Sequence, residues 1–198
     1  MLLTRVITAV CLLIVMLPIL FFAPPAGLVG LVVVFAALAA WEWGRLVRLP
    51  AGWGPIAYAA LVVLLTIAWH DVPSRGDVRP LFYLAAAAWV VAWALLAGGV
   101  HGLSGGRRMV FAILGCVILP AFVHAVSVLR ANGIAFLLSV AVLVWAADVG
   151  AYFVGKAVGR RKLAPTISPG KSWEGAIGGA VLVAVIAAVA GSTHWFAP

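Results

Sequence analysis

Seven apolar runs of nearly membrane-spanning length, parted by short breaks rich in Gly, Pro and charge, constrain this chain more than any other feature. They cover roughly Val6–Phe22, Gly27–Leu46, Pro55–Trp69, Leu81–Leu96, Met109–Leu129, Ile134–Phe153 and Trp173–Trp195. A helix needs about 20 apolar residues to cross the hydrocarbon core of a bilayer. No water is available there to satisfy backbone N–H and C=O groups, so a helix, which closes its own hydrogen bonds, is the conformation such runs adopt. Composition agrees: 66% of residues are hydrophobic and 9% charged, against about 25% charged in a soluble domain. The chain is therefore expected to be all-α, a polytopic integral membrane protein with about seven transmembrane helices. It reads as one transmembrane domain over 1–198, with a basic cytosolic loop over 154–172. The first run is kept as a helix, because Phe21-Phe22-Ala23-Pro24-Pro25-Ala26 is a poor signal-peptide cleavage site. Cys11 and Cys116 fall in separate apolar runs and read as packing residues, with no zinc or disulfide framework implied.

Loop charge sets the orientation. With the N-terminus cytoplasmic, the inside segments hold ten basic residues: Arg5, Arg45, Arg48, Arg107, Arg108, Lys156, Arg160, Arg161, Lys162 and Lys171. The outside segments hold three, Arg75, Arg79 and Arg130. Cytoplasmic loops carry the excess of Lys and Arg, so the N-terminus is expected inside, and the basic segment after the sixth run faces the cytosol.

Between Trp145 and Gly179 the chain departs from a plain anchor. Asp148 stands within the sixth apolar run, ~8 Å from its cytosolic end at 1.5 Å per residue. An ionised Asp near the centre of a membrane helix costs ~2.5–3.5 kcal/mol on insertion scales, so some interaction should offset it. Ala151, Tyr152 and Gly155 share its helix face at i+3, i+4 and i+7. Five of the 13 Lys and Arg residues lie between Lys156 and Lys171, a density suited to phosphate groups of lipid or nucleotide as well as to topology. Ser168-Pro169-Gly170-Lys171-Ser172-Trp173-Glu174-Gly175 then opens the last run. Its Gly-Lys-Ser resembles the end of a P-loop, but Pro165 stands where the first glycine is required and no strand is expected before it. What remains is a local anion site at a helix start. Ser172 is expected to cap that helix, with Glu174 in its first turn. Gly175 and Gly179 form a small face for close helix packing. Glu42 is expected to pair with Arg45 at i+3. His70, His101 and His124 are given no role.

Taken together, Trp145-Ala146-Ala147-Asp148-Val149-Gly150-Ala151-Tyr152, Gly155-Lys156, Lys162-Leu163-Ala164-Pro165 and the Ser168–Gly175 segment resemble the bacterial phosphatidate cytidylyltransferase (CDP-diglyceride synthase) family. Arg5 and Ala40-Trp41-Glu42-Trp43 agree with the N-terminal part of that family. The resemblance implies transfer of a cytidylyl group from CTP to phosphatidic acid, with Mg²⁺ as cofactor. The implied setting is the bacterial inner membrane, with the active face cytosolic. Asp148 and Lys171 would be the catalytic residues. Ser168, Gly170, Lys171, Arg160, Arg161 and Lys162 would bind substrate, and Asp148 would offer one carboxylate to the metal. The implied partners are CTP, phosphatidic acid, the surrounding membrane lipids and, at most, a second copy as a homodimer; no nucleic acid is expected. The family signature further toward the C-terminus, a Gly-Asp-Leu segment and a His-Gly-Gly stretch leading to Asp-Arg-x-x-Asp, does not occur before Pro198. The chain therefore reads as the N-terminal portion of such an enzyme, with the main metal ligands beyond residue 198 and little or no activity alone. Two other classes stay open on the residues: a transporter using Asp148 as an ion or proton site, and a CTP-dependent lipid kinase.

Overall fold

The structure, a computed structural model, describes residues 2–70, 79–97, 105–165 and 167–192, with the main chain alone described for 2–6, 8, 9 and 70. The breaks over 71–78 and 98–104 (with Arg75 and His101), the run end Thr193–Trp195, and the side chains of Arg5 and His70 lie outside the described residues. Seven helices are present among the described residues: α1 (Leu2–Phe22), α2 (Pro25–Leu46), α3 (Trp53–His70), α4 (Arg79–Ala97), α5 (Gly105–Ala131), α6 (Ile134–Val158) and α7 (Trp173–Ser192). Five of them, α2, α4, α5, α6 and α7, are long and apolar enough to cross a bilayer. The other two carry shorter apolar stretches, Val10–Phe22 and Trp53–Trp69. The chain is an integral membrane protein, as its hydropathy requires.

One segment is more regular than expected. Residues 154–172 read as a loop, yet α6 continues to Val158, and a two-stranded antiparallel hairpin, β1 (Lys162–Ala164) and β2 (Ser168–Ser172), fills most of the rest. Helix continuation past Phe153 has a simple cause. No proline interrupts Val154–Val158, and the single Gly155 costs only about 1 kcal/mol in a helix.

The chain divides into two compact units, Met1–Val90 with Ser104–Ile134, and Val91–Leu103 with Ala135–Pro198. The first is built on α2, α3 and α5. Ala40, Tyr58 and Val62 form its buried centre, with Trp43, Leu49, Ala112, Cys116 and Leu119 packed against them. Two aromatic tips bind the α5 backbone: Trp43 Nε1–H donates to Phe111 O at 2.8 Å and Tyr58 O–H to Ala112 O at 2.6 Å. Both reach it because residue 115 is glycine; a Cβ there would lie 2.7 Å from Trp43 Nε1 and inside the Tyr58 hydroxyl. Such interhelical hydrogen bonds stabilise membrane helices by about 0.6 kcal/mol on average.

Helix α2 ends in a Schellman arrangement. Arg48 has φ 55, while Leu49 N–H donates to Gly44 O at 3.0 Å and Arg48 N–H to Arg45 O at 3.0 Å. Leu49 is thereby turned back onto the Ala40–Tyr58 core. Glu42 pairs with Arg45 at 3.1 Å, as the i+3 spacing predicts.

In the second unit α7 runs back along α6, and glycine decides how closely. A Cβ on Gly179 would fall 2.5 Å from Ala147 O and 3.2 Å from Ala151 Cβ. One on Gly175 would fall 2.7 Å from Ala151 O, and one on Gly150 3.1 Å from Gly179 Cα. The predicted small face of Gly175 and Gly179 thus meets Ala147, Gly150 and Ala151, and the two backbones touch.

Candidate functional site

Close packing of α6 on α7 fixes the ends of the connection between them, so the eleven residues from Lys162 to Ser172 must turn back over a short distance. Lys162 pairs with Ser172 and Ala164 with Ser168, with an irregular register between the two pairs. Leu163 on β1 therefore faces Pro169, Gly170 and Lys171 on β2, which leaves two residues extra in the second strand. Pro169 cannot donate to a ladder, and Gly170 tolerates the resulting distortion. A bulge of this kind re-aims the side chains beside it. Here it lies at Gly170-Lys171. Ile167 N–H closes the turn on Ala164 O at 3.1 Å, and Trp173 N–H extends the ladder to Arg161 O at 2.9 Å.

Ser172 caps α7: its Oγ accepts the N–H of Gly175 at 3.2 Å, and the residue is 6% exposed. Three glycines make room for that hydroxyl. A Cβ on Gly155, Gly159 or Gly175 would stand 3.2, 2.6 or 3.2 Å from Ser172 Oγ. Glu174 does more than favour the helix dipole. Its carboxylate accepts the main-chain N–H of Arg160 at 3.1 Å and shares that of Arg161 between both oxygens at 3.2 Å.

These elements enclose a cleft of about 630 Å³. Helix α6 supplies Asp148, Tyr152 and Lys156, one helical face at i, i+4 and i+8. The hairpin supplies Ser168, Gly170 and Lys171, and the small residues Ala151, Gly155 and Gly175 form the seam. Lys156 Nζ stands 5.8 Å from the Tyr152 ring centroid. Among the described residues no hydrogen bond or ion pair engages Asp148, and none of the cations from Lys156 to Lys171 forms an ion pair. The cleft thus holds an open carboxylate and two lysines with open charge.

Asp148, Ser168, Gly170 and Lys171, singled out from the sequence, come together in this cleft. Arg160, Arg161 and Lys162 do not line it. The first two offer main-chain N–H groups to Glu174, Lys162 sits in the ladder, and all three side chains are exposed. Lys156 and Tyr152 are cleft residues that received no role from the sequence, although their spacing from Asp148 puts all three on one face. Among the described residues no group of three or more His, Cys, Asp or Glu side chains gathers, so the cleft forms no all-protein metal cage. A single open carboxylate does fit Mg²⁺, which commonly takes one or two carboxylates and completes its shell with water and substrate phosphates.

The profile of the Cytidylyltransferase family matches residues 3–197. The chain is 40% identical over 184 residues to a phosphatidate cytidylyltransferase of Pseudomonas aeruginosa, covering 90% of this chain and 66% of that protein. Shorter matches are 62% identical over 56 residues to a phosphatidate cytidylyltransferase of Haemophilus influenzae (28% of this chain, 19% of that protein). Another is 47% identical over 57 residues to one of Bacillus subtilis (29% and 21%). The chain thus spans just under two thirds of the Pseudomonas relative's length and about a fifth of each of the other two. No solved structure matches it at a significant level. A profile match over nearly every residue, on a membrane-helix scaffold whose cleft gathers the motif residues, establishes that the chain belongs to the cytidylyltransferase family.

Proposed function

We propose that the chain takes part in transfer of a cytidylyl group from CTP to phosphatidic acid, giving CDP-diacylglycerol and pyrophosphate, and that the cleft beside Asp148 is its phosphate-binding part. The observation that carries this reading is the open Asp148 carboxylate in a membrane helix, sharing one cleft with Lys171. An unengaged acid in such a helix is costly and marks a functional site. The names of the relatives support the choice of reaction. The proposed setting is the bacterial inner membrane, with the hairpin on the cytosolic side, as the loop charges favour. CTP would then reach the cleft from water, and phosphatidic acid from the lipid.

The chemistry asks for positioning and charge neutralisation rather than a protein nucleophile. A phosphate oxygen of phosphatidic acid attacks the α-phosphorus of CTP, and the bond to the bridging oxygen of pyrophosphate breaks. Lys171 and the main chain at Gly170 hold phosphate, with Ser168 donating from the same strand. Lys156 adds a second cation at the cytosolic end of the α6 face. Asp148 would be one ligand of Mg²⁺, which when bound neutralises charge on the phosphates. Arg160, Arg161 and Lys162 raise the local potential without lining the cleft.

The test uses the chain in mixed micelles with phosphatidic acid, CTP and Mg²⁺, together with equilibrium binding of CTP and of pyrophosphate. The reading expects CTP and pyrophosphate to bind and Lys171→Ala to weaken both. Any turnover should release pyrophosphate in step with CDP-diacylglycerol. Release of CDP would point to a lipid kinase instead, and failure of the wild-type chain to bind either nucleotide or pyrophosphate would overturn the reading.

A further inference from the structure

Glu174 is polar, lies in the motif, and does not line the cleft. It borders the opposite, apolar face of the helix pair, beside Val154, Val158 and Ile177. Its partners are not the guanidinium groups nearby but two main-chain N–H groups, those of Arg160 and Arg161. Helix α6 ends at Val158 and β1 begins at Lys162, so residues 159–161 are all that joins them. Gly159 N–H still bonds back to Gly155 O at 3.1 Å, but the next two N–H groups are beyond the helix and turn to Glu174. The neighbouring bond from Trp173 N–H to Arg161 O, at 2.9 Å, closes the same joint from the other side.

We infer that Glu174 is a positioning residue: by clasping the Arg160–Arg161 main chain it fixes where the hairpin leaves α6, and so holds Lys171 over the cleft opposite Asp148. The inference rests on the phosphate-binding reading of that cleft. Two features favour positioning over simple helix capping. Ser172 already caps α7 through Gly175 N–H. The Glu174 bonds reach back 13 and 14 residues, so they tie the two ends of the hairpin connection together rather than stabilising one turn. The clasp also uses the carboxylate on neutral N–H donors and leaves both guanidinium groups without an ion pair among the described residues. A carboxylate accepting such charge-assisted bonds holds them more strongly than a neutral acceptor would.

The experiment compares Glu174→Gln and Glu174→Ala with the wild-type chain in micelles, following amide hydrogen exchange and pyrophosphate affinity. Exchange at Arg160, Arg161 and the hairpin 162–172 should rise by about tenfold in Glu174→Ala and less in Glu174→Gln, which keeps one acceptor oxygen. Exchange in α2, α3 and α5 should stay unchanged, which excludes general unfolding. Pyrophosphate should bind about tenfold more weakly to Glu174→Ala, and combining it with Lys171→Ala should weaken binding little beyond Lys171→Ala alone, because the clasp acts through that lysine. Unchanged hairpin exchange, unchanged pyrophosphate affinity, or fully additive losses would each overturn the inference while leaving the cleft's proposed function standing. A wild-type chain that does not bind pyrophosphate would overturn the function itself, and the inference with it.

Discussion

Replacing Gly179 by alanine is the sharpest test of the α6–α7 packing that shapes the cleft. Alanine is the better helix former by about 0.8–1.0 kcal/mol in a helix interior, so on propensity alone the change stabilises. The geometry opposes it. The new Cβ would lie 2.5 Å from Ala147 O and 3.2 Å from Ala151 Cβ. Ordinary carbon contacts sit near 3.5–4.0 Å, so the helices must part by most of an ångström. Overpacking of this kind costs about 1–3 kcal/mol. The two effects leave a net loss of up to about 2 kcal/mol. Gly30→Ala is the matched control. It also lies within a helix, α2, but a Cβ there meets nothing within 4 Å, so it should keep its propensity gain. The assay is equilibrium unfolding in mixed micelles, read alongside pyrophosphate binding. Gly179→Ala should be less stable than Gly30→Ala and should bind pyrophosphate more weakly, because Ala147 and Ala151 flank Asp148. If Gly179→Ala proved as stable as Gly30→Ala, the close backbone contact, and the cleft built on it, would be refuted.

Three further outcomes are expected. Lys171→Ala should weaken CTP binding about tenfold, whereas Arg160→Ala should weaken it less than threefold and in a salt-sensitive way, since Arg160 acts only through the local potential; equal losses would refute the distinction. Ser172→Ala should destabilise the chain by about 1 kcal/mol through loss of the α7 cap, measured by the same unfolding assay. Arg48→Gly should stabilise it by about 1 kcal/mol, because a non-glycine residue in the left-handed region costs roughly 1–2 kcal/mol and glycine does not.

Much of this structure was legible in the residue order because one signal dominates it. Apolar runs bounded by Gly, Pro and charge place helices with little help from tertiary contacts, and all seven appear within a few residues of their expected places. The Gly175–Gly179 face and the Ser172 cap were equally readable, since each depends on residue type at short spacing. The hairpin was not. Ser168-Pro169-Gly170-Lys171-Ser172 has neither strand-forming residues nor a period of two. It pairs because α6 and α7, drawn together by glycine, bring Lys162 opposite Ser172. The place of the Arg160-Arg161-Lys162 cluster outside the cleft lining was not legible either, for a related reason. Charge density suggested side chains on a substrate, but the first two residues are held by their main-chain N–H groups, which no side-chain pattern reports. Asp148 and Lys171 stand out in the residue order because each is expensive or unusual where it stands, and both line the cleft. Lys156, an ordinary residue for the end of a membrane helix, carries no such signal.

The proposed pairing of Asp148 with Lys171 across the cleft is tested most directly by pyrophosphate affinity, with and without Mg²⁺, in the wild-type chain, Asp148→Asn and Lys171→Ala. Mg²⁺ should strengthen binding to the wild-type chain and to Lys171→Ala but not to Asp148→Asn, while Lys171→Ala should bind more weakly at every Mg²⁺ concentration. Mg²⁺ dependence that survives unchanged in Asp148→Asn would contradict the assignment of that carboxylate to the metal and the phosphates.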